Sequence, residues 1–159
     1  GYPGNDEKGL ALQQTVDPEK LMNDFFAAIE WLMQHDASTG KVGITGFCYG
    51  GGVVNAAAVA YPELAAAVSF YGRQPDANEV SRIEAPIMLH YAGLDTRINE
   101  GWPAYEKALK ANGKTYQAFI YPNVNHGFHN DSTPRYDEAA ATLAWSRTLD
   151  WFGKYLSAS

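Results

Sequence analysis

One cysteine, four histidines and eighteen Asp and Glu carboxylates are the groups in this 159-residue sequence that could carry covalent or acid–base chemistry. The lone thiol sits in Gly46-Phe47-Cys48-Tyr49-Gly50, directly before two more glycines. A small-x-nucleophile-x-small pentapeptide between a strand and a helix is a nucleophile elbow, here with sulfur at its apex. The turn is tight enough to strain the apex residue, and small residues at Gly46 and Gly50 are expected to keep it free of clashes. Cys48 would then lie at a helix N-terminus, whose partial positive charge favours a thiolate. The Tyr49 N–H would face an oxyanion formed beside it. The competing reading is a buried cysteine next to a glycine-rich packing turn.

A sulfur nucleophile calls for a base and for a group that orients the base. Asp95 follows Ala92-Gly93-Leu94, and by itself reads better as a solvated turn residue. His126 follows Asn123-Val124-Asn125 and precedes Gly127, which would let the backbone approach closely. Of the other histidines, His35 ends a helical stretch and belongs at the surface. His90 lies within an apolar run and reads as a hydrogen-bonded core residue. His126 and His129 could suggest a metal pair, but no suitably spaced third ligand accompanies them, so no metal and no cofactor are expected.

The elements that would position these groups are legible as periodic segments. Gly1–Thr15 reads as a loop. Asp17-Pro18 is an N-cap with proline at the first helical position, and Leu21, Phe25, Ile29 and Leu32 recur at helical spacing through His35. Short apolar runs at Lys41–Phe47, Ala66–Tyr71, Pro86–Tyr91 and Thr115–Tyr121 read as strands, the first of them as a buried one. Helices are expected at Tyr49–Ala60, at Asn99–Ala111 with Asn112-Gly113 as its stop, and after the Thr133-Pro134 cap signal. In that last helix Trp145, Leu149, Phe152 and Leu156 would form one face. Strands alternating with helices predict an α/β fold with a parallel sheet covered on both faces. Ligand sites in such sheets lie at the carboxyl ends of the strands, and Cys48, Asp95 and His126 each fall just past one.

Composition narrows the function classes. Apolar residues make up 46% and charged residues 19%, which suits one folded domain over residues 1–159. The net charge of −6 and the lack of a basic tract argue against nucleic acid as a partner. No apolar run reaches the ~18 residues of a membrane span. A single cysteine excludes an internal disulfide, leaving inert packing, an intermolecular link or chemistry for the thiol. With no export leader visible, a cytoplasmic protein is expected, or an exported one if a leader has been removed.

The order nucleophile, acid, base, separated by 47 and 31 positions, is that of α/β-hydrolases. "GFCYGG" at Gly46–Gly51, "YAGLDTRI" at Tyr91–Ile98 and "YPNVNHGFHND" at Tyr121–Asp131 resemble the dienelactone hydrolase family, for which an elbow cysteine is a hallmark. "GYPGND" and "TPRYDEAA" resemble a subgroup of larger, sometimes exported relatives. The resemblance implies the C-terminal portion of an α/β-hydrolase fold, with Cys48 as nucleophile, Asp95 as orienting acid and His126 as base. It also implies a longer N-terminus than this chain has. That part would hold the first strands, a loop supplying a second oxyanion N–H and a glutamate controlling the thiol. Losing one oxyanion donor costs ~10²–10³ in turnover. The family binds substrate carboxylates with arginines, one of them shortly after the histidine. Here that stretch reads Phe128-His129-Asn130, with Arg135 beyond, so a broader ester preference is expected.

The reading is an acyl-transfer hydrolase acting on small-molecule esters or enol lactones through an acyl-cysteine. Phe128, Tyr91 and Trp102 are candidate substrate-binding residues, and Tyr49 the oxyanion donor. The alternative is a weakly active or inactive fragment that pairs as a homodimer or with a missing N-terminal segment. A redox-sensing thiol is compatible with either.

Overall fold

The computed structural model describes residues 4–157. The first three residues of the "GYPGND" motif therefore lie outside it. In chain order the elements are α1 (Asp6–Gln13), α2 (Pro18–Gln34), β1 (Gly43–Phe47), α3 (Tyr49–Ala60), β2 (Ala66–Phe70), a 3₁₀ turn (Val80–Arg82), β3 (Ile87–Ala92), α4 (Thr96–Asn99), α5 (Trp102–Ala111), β4 (Tyr116–Tyr121) and α6 (Glu138–Leu156). The four strands form one parallel sheet in the order β1-β2-β3-β4. An α/β fold with a parallel sheet is thus what the alternating pattern predicted.

Register sorts the side chains onto two faces. Ala67, Ile87, Leu89 and Tyr91 point to one face, where they meet Val54 and Ala58 of α3 and Tyr105 and Leu109 of α5. Ala66, Val68, Phe70 and Met88 point to the other, against Ala140, Ala144 and Trp151 of α6. Ile29 of α2 packs with Ala57 of α3, Val42 and Leu64, with Phe26 and Met33 beside it.

Five expectations shift. Asp6–Gln13 is helical instead of loop: the Asn5 side chain accepts from Lys8 N–H at 3.0 Å, and Asp6 and Glu7 sit at the positive end. Capping makes this helix without an apolar stripe, since Leu10 and Leu12 are exposed. In α2, Phe25 and Leu32 are exposed while Phe26, Ile29 and Met33 turn inward. That segment carries two overlapping apolar stripes, and periodicity alone does not choose between them. In α6 the buried stripe is Ala140, Ala144, Thr148 and Trp151; Trp145 and Leu149 are exposed. Small residues let this helix lie close on the sheet, which outweighs the larger apolar side chains beside them. The start of α6 also moves: Asp137 is its N-cap, accepting from Ala140 N–H at 2.8 Å. The helix expected from Asn99 is two pieces, α4 and α5, divided around Gly101.

Candidate active site

β1 ends at Phe47 and α3 begins at Tyr49, so Cys48 alone makes the turn. Its backbone lies at φ 57 and ψ −116, a conformation that L side chains rarely adopt. Its N–H donates to Phe70 O at 3.0 Å, which ties the turn to the end of β2. A side chain at Gly46 would collide with the Gly50 carbonyl. Gly72 and Gly51 touch backbone to backbone, so neither tolerates a Cβ. Gly50, by contrast, faces open space, and the requirement assigned to it from the sequence falls on Gly51 and Gly72 instead. Cys48 is exposed and unpaired. Tyr49 opens α3, so its N–H has no acceptor within the helix.

The loops after β3 and β4 are joined by hydrogen bonds: Gly93 N–H donates to Tyr121 O at 2.7 Å and Leu94 N–H to Val124 O at 3.0 Å. This pairing brings Asp95 and His126 together. Asp95 is 7% exposed and caps α4, one carboxylate oxygen accepting from Ile98 N–H at 3.2 Å. The other oxygen lies 2.5 Å from His126 Nδ1. His126 Nε2 lies 3.1 Å from Cys48 Sγ. Carboxylate, imidazole and sulfur thus stand in one hydrogen-bonded line at the carboxyl ends of β3, β4 and β1. With Nδ1–H donating to Asp95, Nε2 is free to take the thiol proton. Gly127 adopts φ 83, so its need is conformational; an added Cβ would make only ordinary contact with Arg135.

Tyr71 is the residue that sequence reasoning undervalued. It leaves β2 at φ 37, a strained position for a bulky side chain, and is 2% exposed. Its ring centroid lies 4.9 Å from that of His126. Burial pushes its phenol up to about 12, a negative charge at Cys48 adds to the rise, and the His129 backbone N–H opposes it.

Two cavities open on the sulfur, and Cys48, Tyr71 and His126 line both. The larger, about 650 Å³, runs along α2 and α3 past Met22, Phe26, Val53 and Ala56, with Arg73 and Arg97 also on its walls. The smaller, about 400 Å³, is walled by Phe47, His129, Asn130 and Arg135. Of the candidate substrate-binding residues, none lines either cavity. Phe128 is fully buried between Tyr71 and Tyr121. Tyr91 is buried, its hydroxyl accepting from Gln74 at 3.3 Å. Trp102 packs on Tyr91, Tyr105 and Tyr116. Closeness in sequence to Asp95 or His126 does not bring them to either cavity: Phe128 and Tyr91 turn into the core, and Trp102 lies half-buried against it.

His90 is fully buried. Its Nδ1 lies 3.0 Å from Tyr121 Oη and its Nε2 3.1 Å from Thr148 Oγ1. Arg147 donates to Tyr121 Oη at 3.1 Å, and Thr148 donates to Ala144 O at 2.9 Å. The phenol proton is then given to Nδ1, and Nε2–H to the threonine oxygen, which satisfies a neutral imidazole. Burial, aided by Arg147 and His129, pulls the His90 pKa down to about 3. Among the described residues no group of three or more His, Cys, Asp and Glu could hold a metal ion. No helix there is long and apolar enough to cross a membrane.

The chain resembles a "Putative carboxymethylenebutenolidase" of Salmonella typhi, 30% identical over 151 residues, covering 88% of this chain and 56% of that protein. It is 33% identical over 158 residues to a "Probable 2-oxo-3-(5-oxofuran-2-ylidene)propanoate lactonase" of Bradyrhizobium sp, covering 91% and 63%. It superposes on the crystal structure of a "Putative Dienelactone Hydrolase" from Klebsiella pneumoniae subsp. pneumoniae MGH 78578 with a TM-score of 0.79 and 28% identity, covering 89% and 64%. The chain thus spans rather more than half the length of these relatives. The family model for "Dienelactone hydrolase family" matches residues 4–156, nearly the whole of the sequence, and the chain belongs to that family.

Proposed function

We propose that the chain hydrolyses carboxylic esters and enol lactones through an acyl-cysteine, with Cys48, His126 and Asp95 as its triad. The observation that carries this reading is the line of contacts from Asp95 to His126 at 2.5 Å and from His126 to Cys48 at 3.1 Å. His126 Nε2 takes the thiol proton as sulfur attacks the carbonyl carbon. The oxyanion is held by Tyr49 N–H at the positive end of α3. Asp95 fixes the tautomer and stabilises the imidazolium. The proton passes to the departing oxygen as the C–O bond breaks. Water, deprotonated by His126, then releases the acid and restores the thiol. The names of the relatives point to lactones, and Arg73 and Arg97 on the wall of the larger cavity suit substrates bearing an anion.

Cys48→Ala tests the proposal. It should lower 4-nitrophenyl acetate turnover by at least ~10³-fold with an unchanged circular dichroism spectrum. Unchanged turnover would remove the covalent route.

A second reading, assembly without catalysis, draws on the outer edge of β1, which pairs with no strand among the described residues, and on exposed Phe47, Trp145 and Leu149. Size-exclusion chromatography beside the same assay separates the two. Turnover blocked by iodoacetamide favours catalysis, and a large assembly without turnover favours the second reading.

A further inference from the structure

Ester cleavage divides a substrate at the carbonyl carbon, and here two differently lined cavities meet where that carbon must sit. We infer that the larger, α3-side cavity takes the acyl chain and the smaller, histidine-loop cavity takes the departing alcohol. Tyr71 is the partition between them. This rests on the proposed acyl-cysteine chemistry.

The assignment follows from where the proton must go. The S–C bond forms as His126 takes the thiol proton, and the same Nε2 hands that proton to the leaving oxygen as the C–O bond breaks. The leaving group therefore lies over the imidazole. His126 borders both cavities, and the one built by the histidine's own loop, including Gly127, Asn130 and Arg135 with Phe47 opposite, is the one that remains for the leaving group when the acyl chain takes the other. The acyl group stays on sulfur with its oxygen turned to Tyr49 N–H. Its chain then runs along the first turns of α3, past Gly52, Val53 and Ala56, under Met22 and Phe26 of α2. Both cavities expose mostly apolar surface; along this path the first is walled by hydrocarbon, whereas the second also carries His129, Asn130, Asp131 and Arg135, which matches a hydrocarbon acyl chain and an oxygen-bearing alcohol. Tyr71 can hold its place between them because its strained backbone is pinned: its N–H donates to His90 O at 2.7 Å.

Two ester series test this. With 4-nitrophenol fixed, kcat/KM should rise from acetate to hexanoate by up to about fourfold per buried methylene. Ala56→Phe, at a half-buried helix position, should cut the hexanoate-to-acetate ratio about tenfold or more. Met22→Trp, from the opposite wall, should do the same and guards against misfolding of the first variant. With acetyl fixed, the ratio of biphenyl-4-yl to phenyl acetate should fall in Arg135→Trp and stay within about twofold in Ala56→Phe. Exchanged responses, or acyl ratios unmoved in both Ala56→Phe and Met22→Trp, would overturn the assignment. Cys48→Ala, run alongside, isolates the other failure: turnover that survives it sinks the acyl-cysteine reading itself, whatever the ratios do.

Discussion

Asp95 performs two tasks with two oxygens. One caps α4 through Ile98 N–H and the other meets His126 Nδ1. Asp95→Asn should keep the cap, since an asparagine oxygen accepts equally well at that position. Its amide would present an N–H donor or a neutral acceptor to the imidazole, and the tautomer that leaves Nε2 free would lose its anchor. Under the proposed mechanism kcat should fall about 10³–10⁴-fold while the urea midpoint moves little. A large loss of stability with modest loss of kcat would instead assign Asp95 a mainly structural role. Cys48 shows the same economy: one residue makes the strand-to-helix turn and presents the sulfur, at a backbone conformation fixed by its N–H bond to Phe70 O.

Among the elements, α3 owes its position to the absence of side chains. Gly72→Ala would force the helix off the end of β2 and should cost about 1–3 kcal/mol by urea denaturation. Gly50→Ala meets open space within a helix and should be neutral or stabilising by up to about 0.5–1 kcal/mol. The opposite signs at neighbouring glycines check the packing of the elbow directly. In α2 a similar contrast applies. Ile29→Ala should cost about 2–4 kcal/mol, because Ile29 is buried against Ala57 and Leu64. Leu32→Gln should stay within about 0.5 kcal/mol, because Leu32 is exposed. Equal costs would mean that the other apolar stripe faces inward.

For the molecule as a whole, His90 joins three elements: β3 carries it, β4 supplies Tyr121 and α6 supplies Thr148. Its pKa of about 3 in the folded state lies below its ordinary 6.5. Between these values the unfolded chain binds a proton that the folded chain refuses. The stabilising contribution is complete above about pH 6.5 and is lost as pH falls toward 3. A shift of this size corresponds to several kcal/mol by order of magnitude. Thermal stability of the wild type should fall between pH 7 and pH 4.5, and His90→Gln should show a shallower fall from a lower plateau. An identical slope in that variant would place the acid sensitivity elsewhere.

Some of this was fixed by local chemistry. The alternation of apolar strands with helices, the Asp17-Pro18 cap, the order Cys48, Asp95, His126 and the core character of His90 are all readable along the chain, because each depends on neighbours within a few residues or on a period. The tertiary structure decided which of two apolar stripes α2 and α6 bury, which glycines are compelled to be glycine, and that Tyr71 lines both cavities at the sulfur. It also moved Phe128 and Tyr91 into the core, packed a half-buried Trp102 against it and brought Arg135 to the smaller cavity. These outcomes depend on what stands opposite a residue across the fold, at separations set by packing, and spacing along one chain carries no record of that partner.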